Sequence, residues 1–184
     1  MSEVDNWTSL LPDPRTPAFI MQKLIVSDSA RSVAFYREAI GMTVLFRLEA
    51  PGLPFNEILM GFEEDPAGAR VILASALHEG VTPGMAPYGT PFPTGVPFAN
   101  IVMQSPDVAA LLTRVEKMGG SLAMPPYRID LPGSNGALLA FAQDPDGHVL
   151  EFFQFTPFDD SLPEFDIAAP DEGLLKLFGA PPAS

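Results

Sequence analysis

The chain contains no cysteine, which removes a disulfide framework, a thiolate metal site and a cysteine nucleophile at once. It is also short of positive charge. Ten Lys and Arg face 23 Asp and Glu, a net charge of −13, so phosphate backbones and anionic lipid are disfavoured partners. Nucleic-acid and membrane roles are therefore not expected, while a cationic or neutral small ligand is easier to accommodate. Met1 to Arg15 holds no long apolar run, so neither a signal peptide nor a membrane span is expected and the cytoplasm is the default location. There is no Gly-x-Gly-x-x-Gly or Gly-Lys-Ser/Thr phosphate loop, no His-Glu-x-x-His and no Gly-x-Ser-x-Gly elbow. Hydride transfer and nucleotide hydrolysis thus lack support.

What the chain does have is an internal repeat. Asp28 matches Asp107, Gly41 matches Gly120, and Asp65-Pro66-Ala67-Gly68 matches Asp144-Pro145-Asp146-Gly147, all at an offset of 79 residues. Two copies of one module are implied. Apolar, β-branched Ala18 to Val26 reads as a strand. Ser27 or Asp28 then caps a helix to Ile40, with Ala30, Val33, Tyr36 and Ile40 as its buried stripe and Gly41 as its end. Strands follow at Thr43 to Leu48, Asn56 to Phe62 and Ala69 to Ala76, with Asp65 to Gly68 as turn.

The second copy repeats the order. After a strand at Phe98 to Gln104, Ser105 is the expected cap, with Pro106 at the first helical position. Val108, Leu111, Leu112, Val115 and Met118 form the apolar face, and Gly119-Gly120 stops the helix. Strands near Ser121 to Ala123, extending through Tyr127 to Ile129, then Ala137 to Gln143 and His148 to Phe155 complete the module.

The expected class is α+β: two tandem βαβββ modules forming a curved mixed-sheet cleft with helices outside. Residues 1–17 form a Pro-rich arm, 18–78 the first module, 79–97 a Pro/Gly-rich crossover, 98–157 the second module, and 158–184 an acidic tail with a short amphipathic helix. That helix, Glu172 to Phe178, is expected to dock on its own body or on a second subunit.

The paired modules, the stretch Ser27-Asp28 through Phe35-Tyr36 to Ile40-Gly41-Met42, and Asp144-Pro145-Asp146-Gly147-His148-Val149-Leu150-Glu151 together resemble the vicinal oxygen chelate superfamily. That group includes glyoxalase I, extradiol dioxygenases, epimerases and bleomycin resistance proteins. The resemblance spans about Phe19 to Phe155 and implies fold more than function. In its metal-dependent members each module supplies one ligand from its first strand and one from its last. The matching positions here are Met21, Ile72, Asn100 and Glu151.

One carboxylate and one amide are a poor donor set, because a thioether and a hydrocarbon give a hard or borderline cation little. The expectation is therefore a site with no cofactor, a divalent metal being disfavoured. Gln22 neighbours Met21 but points to the opposite face by strand alternation. His78, after the last strand of the first module, is open between loop residue and site acid or base, and His148 is expected at the surface beside Gly147.

Alternation puts Lys23 and Ile25 with Met21, Val102 and Gln104 with Asn100, and Val149, Phe153 and Phe155 with Glu151, a largely apolar face suited to a small organic ligand. Glu151 in such a cleft has its pKa raised by desolvation and becomes a candidate general base, with Lys23 as an alternative structural partner. The expected catalytic pair is Glu151 and His78. The ligand-binding set is Met21, Lys23, Ile72, Asn100, Gln104 and Phe153. Two readings stay open: a glyoxalase and bleomycin-resistance-like binder with a metal-poor cleft, or a metal-dependent glyoxalase-like lyase, epimerase or dioxygenase with an atypical site. A homodimer binding a small molecule is expected in either case.

Overall fold

The computed structural model describes residues 21–48, 55–76, 101–129 and 136–155. The expected arm, crossover loop and tail lie outside them, as do His78 and Asn100. The chain divides into two units, Met1–Met85 and Ala86–Ser184. The first runs β1 (Gln22–Ile25), α1 (Ser29–Phe35), a π-helical turn (Tyr36–Ile40), β2 (Thr43–Leu48), β3 (Phe55–Phe62) and β4 (Asp65–Ala76). The second runs β5 (Ile101–Gln104), α2 (Val108–Lys117), β6 (Ser121–Ile129), β7 (Ala137–Gln143) and β8 (Val149–Phe155). Both sheets have one plan, β1-β4-β3-β2 and β5-β8-β7-β6, with a parallel first pair and antiparallel neighbours beyond it. The α+β class and the tandem βαβββ order are as expected.

Each helix starts on an aspartate. Asp28 accepts from the Arg31 N–H at 3.0 Å and Asp107 from the Ala110 N–H at 2.9 Å, satisfying donors that the first helical turn leaves orphaned. Asp107, not Ser105, is thus the second cap; Ser105 is buried and its Oγ accepts from the Asp107 N–H at 3.2 Å. The α2 start is also tied to the sheet, because the Val108 N–H donates to buried Gln154 Oε1 on β8 at 2.9 Å. Replacing Gln154 by methionine, which keeps the length but offers that N–H no acceptor, is expected to cost about 1–3 kcal/mol in urea unfolding.

One face of each sheet is sealed. In the first unit Leu24, Ile58, Met60, Val71 and Leu73 are buried on the face where Val33, Phe35, Tyr36 and Ile40 pack, whereas Ala30 is exposed and not part of the stripe. In the second unit Leu138, Ala140, Ala142, Leu150 and Phe152 are buried beside Val108, Leu111, Leu112 and Val115. Burying one such aliphatic side chain contributes roughly 1.5–3 kcal/mol, so these faces hold each unit together.

One local expectation is corrected. The first β3–β4 turn is Glu63–Glu64, and Asp65 already pairs with Phe62 at the start of β4, so Asp65 to Gly68 is strand and not turn. A register shift between Gly61 and Phe62 absorbs the difference. β6 is continuous through Pro125 and Pro126; it is the edge strand, and shifts on both sides of Met124 accommodate two residues with no N–H.

Candidate functional site

The faces away from the helices carry the candidate chemistry. In the first unit the pairing Lys23↔Ile72, Ile72↔Leu59 and Leu59↔Phe46 runs one row across all four strands. The row beside it runs from Ile25 through Ala74 and Glu57 to Leu48. These rows and Met21 border a shallow hollow, open to solvent, lined by Met21, Phe46, Leu48, Glu57, Leu59 and Ile72. Two of the four family ligand positions, Met21 and Ile72, therefore share one cavity. Gln22 is exposed and sits in register with Val71, whose side chain belongs to the sealed face.

Among the described residues, Glu57 is the one ionisable group lining this hollow. Its side chain is 12% exposed and forms an ion pair with Lys23, which reaches across β4 from β1. The alternative partner considered for Lys23, Glu151, stands on the sheet of the second unit. Glu57 was not singled out from the sequence because the face of a β3 residue follows from cross-strand register, which one sequence does not give. Its alternation with Leu59 was the available signal.

In the second unit Glu151 is half-buried and stands between Val102 on β5 and Phe141 on β7, with Met124 next in the row. Met124, Phe141 and Val149 form a buried cluster against which Tyr127 and Leu139 pack. Gln104 pairs with Phe153, and the Phe153 and Phe155 rings stack at 6.1 Å and 9°, so the alternate residues of β8 do share Glu151's face. Val102 is 56% exposed and Phe155 41%. Glu151 thus projects from a largely apolar face, which also carries Gln104 and is only partly covered.

His148 is not at the surface. It is buried, and its Nδ1 lies 2.8 Å from Asp144 Oδ2, while Asp144 Oδ1 accepts the backbone N–H groups of Asp146 and His148 at 2.9 Å each. The Asp-Pro-Asp-Gly-His run builds a closed turn that delivers β8, and with it Glu151, to the sheet. An aspartate four residues before a histidine was the signal for it.

With this geometry in view, comparison with known proteins assigns the class. Residues 18–152 match the model of the Glyoxalase/Bleomycin resistance protein/Dioxygenase superfamily, and the chain belongs to that family. Among its relatives are a lactoylglutathione lyase of Arabidopsis thaliana, 26% identical over 132 residues that make up 72% of this chain and 42% of that protein. Another is the lactoylglutathione lyase of Haemophilus influenzae, 27% identical over 132 residues, 71% of this chain and 87% of that one. Among solved structures, glyoxalase I from Zea mays aligns with a TM-score of 0.56 at 26% identity, covering 78% of this chain and 46% of that one. A glyoxalase family protein from Bacillus cereus reaches a TM-score of 0.63 at 14% identity, covering 79% of this chain and 100% of that one, and bears on fold alone. The chain spans less than half the length of the plant lyases it matches. No described helix is long and apolar enough to cross a membrane.

These relatives correct the expectation of a site without a cofactor, since lactoylglutathione lyases are metal-dependent enzymes and point to a divalent metal. The described residues fit such an ion in part. Glu151 offers a carboxylate at the family's last-strand position, whereas Met21 and Ile72 offer no hard donor. Among the described residues no three His, Asp or Glu side chains gather as a ligand cluster.

Proposed function

We propose that the chain is a metal-dependent glyoxalase-like lyase with an atypical site, acting on a small organic thioester of a 2-hydroxy acid. The observation that carries the reading is Glu151, a carboxylate set into an apolar, partly open face at the end of the segment that matches the family. Assembling such a thioester from a thiol and a 2-oxoaldehyde moves a hydrogen from the sulfur-bearing carbon to its neighbour. Glu151 takes that proton on one carboxylate oxygen and returns it to the adjacent carbon, ending the cycle ionised as it began.

Glu151, with Asn100 as second donor, would hold the divalent ion, which when bound supplies polarisation of substrate oxygen. Phe153 and Gln104 flank the acyl group, Met21, Lys23 and Ile72 bound the hollow of the first unit, and His78 is the second acid or base. The working form is a cytoplasmic homodimer.

The test is formation of lactoylglutathione from glutathione and the matching 2-oxoaldehyde by the full chain after chelation and after reloading with nickel, zinc, manganese or iron, with metal content measured in parallel. Activity that vanishes on chelation and returns with one ion in stoichiometric amount is expected. Thioester that fails to form above the uncatalysed rate with every metal, at full folding, removes the lyase reading.

A further inference from the structure

Among the described residues, the lining of the first unit's hollow is apolar except at Glu57, and the one polar partner of that carboxylate is Lys23, which meets its Oε1. Opposite Glu57 on β4 stands Ala74, whose single methyl leaves the lysine stem room to cross from β1. Glu57 Oε2 accepts no hydrogen bond there and is still reached by solvent, although the side chain as a whole is only 12% exposed. A carboxylate has about four acceptor positions, and those left unmet beside an apolar wall are costly. Lys23 is 47% exposed, so its ammonium reaches the rim. The hollow therefore carries two opposite charges side by side, an acceptor on one and N–H donors on the other. The pair is neutral in sum.

We propose that the Lys23–Glu57 pair is a recognition site for a neutral carboxamide, carried on a short apolar body that lies over Phe46, Leu59 and Ile72. The amide N–H donates to Glu57 Oε2 and its C=O accepts from the Lys23 ammonium, so both bonds are charge-assisted and the ion pair stays intact. A free acid fits less well: Lys23 attracts it, Glu57 repels it at similar range, and it brings no donor for Oε2. An ammonium group meets the converse conflict. The pair thus selects a group that both donates and accepts, and rejects either ion through the neighbour of the charge that draws it in. The inference takes from the proposed function only that a small molecule sits in this hollow.

The experiment is a nuclear magnetic resonance titration of the full chain with phenylbutyramide, phenylbutyrate and phenylbutylamine, probes that share one apolar body. The wild-type chain is expected to bind the amide about tenfold more tightly than either ion. Glu57→Gln, which leaves the ammonium without this carboxylate, is expected to move the preference to the acid. Lys23→Met, which leaves the carboxylate without this ammonium, is expected to move it to the amine. A role in folding alone would shift stability in both variants without exchanging the favoured probe. Acid or amine bound as tightly as the amide by the wild type, no binding of the amide, or the wild-type order kept in either variant overturns the proposal. Lys23 is half exposed on an edge strand, so Lys23→Met decides the matter should Glu57→Gln fail to fold. Binding is read without turnover, so loss of the lyase reading with a retained amide preference leaves this inference standing, and the reverse outcome removes this inference alone.

Discussion

Glu151→Gln is expected to lower kcat by about 10²–10⁴-fold, the range that a positioned general base supplies, while leaving the chain folded. Glutamine preserves shape and one oxygen donor but neither accepts the proton nor carries the charge. Glu151 is half-buried between Val102 and Phe141, so an isosteric amide fits the same space and unfolding should shift by less than about 1 kcal/mol. Metal content should fall together with kcat, since an amide is the weaker ligand for the hard or borderline ions concerned. Glu151→Asp, shorter by one methylene, is expected to retain partial turnover because the base survives out of position. Steady-state kinetics with metal analysis checks all three. A Glu151→Gln enzyme within tenfold of wild type in kcat/KM would move the chemistry to another residue.

The repeat made the fold legible, and the structure shows why the constant offset works where it matters most. Lys23 pairs with Ile72, and Val102 pairs with Glu151; both residues of the second pair stand 79 places after those of the first. The parallel pairs that bear the family ligand positions are therefore in the same register in both units, and Ile72 is the true counterpart of Glu151. At the helix ends the offset misleads. The left-handed residue that closes the first helix is Gly41, with φ 91°, but its counterpart is Gly119, with φ 86°, and not Gly120. The first unit spends one more residue between its capping aspartate and its glycine, and the π-helical turn at Tyr36–Ile40 absorbs it. A widened turn leaves no mark in hydrophobic spacing, because Val33, Tyr36 and Ile40 stay buried either way.

The site was less legible than the fold. Which residues share a strand face follows from alternation, and so Met21 with Ile72, and Glu151 with Phe153, were accessible. Which strands face one another across a sheet is set by long-range pairing, so the approach of Glu57 to Lys23 was not. Burial of charge was the other blind spot. Arg70 and His148 look like surface residues in composition, yet both are buried, and for His148 the reason is supplied by Asp144 beside it.

Asp144→Ala should be the most damaging single substitution for stability in the second unit, at about 3–5 kcal/mol, the cost of removing one partner from a buried polar pair and stranding the rest. Three donors converge on this carboxylate: the Asp146 and His148 N–H groups on Oδ1 and the His148 ring on Oδ2. All three lose their acceptor at once, in a turn where solvent reaches Asp144 and His148 hardly at all, at 3% and 2% exposure. Asp144→Asn should cost less, because its amide oxygen still serves the two backbone donors and only the ring contact changes. The same turn ends three residues before Glu151 and sets the start of β8, so loosening it should also raise exchange of the β8 amides with Phe141 and Ala142 across the pair. Urea unfolding and hydrogen exchange together test the point. An Asp144→Ala chain that loses less than about 1 kcal/mol would mean that water replaces the carboxylate in the turn, and that the pair is ornament to a strand held by its ladder alone.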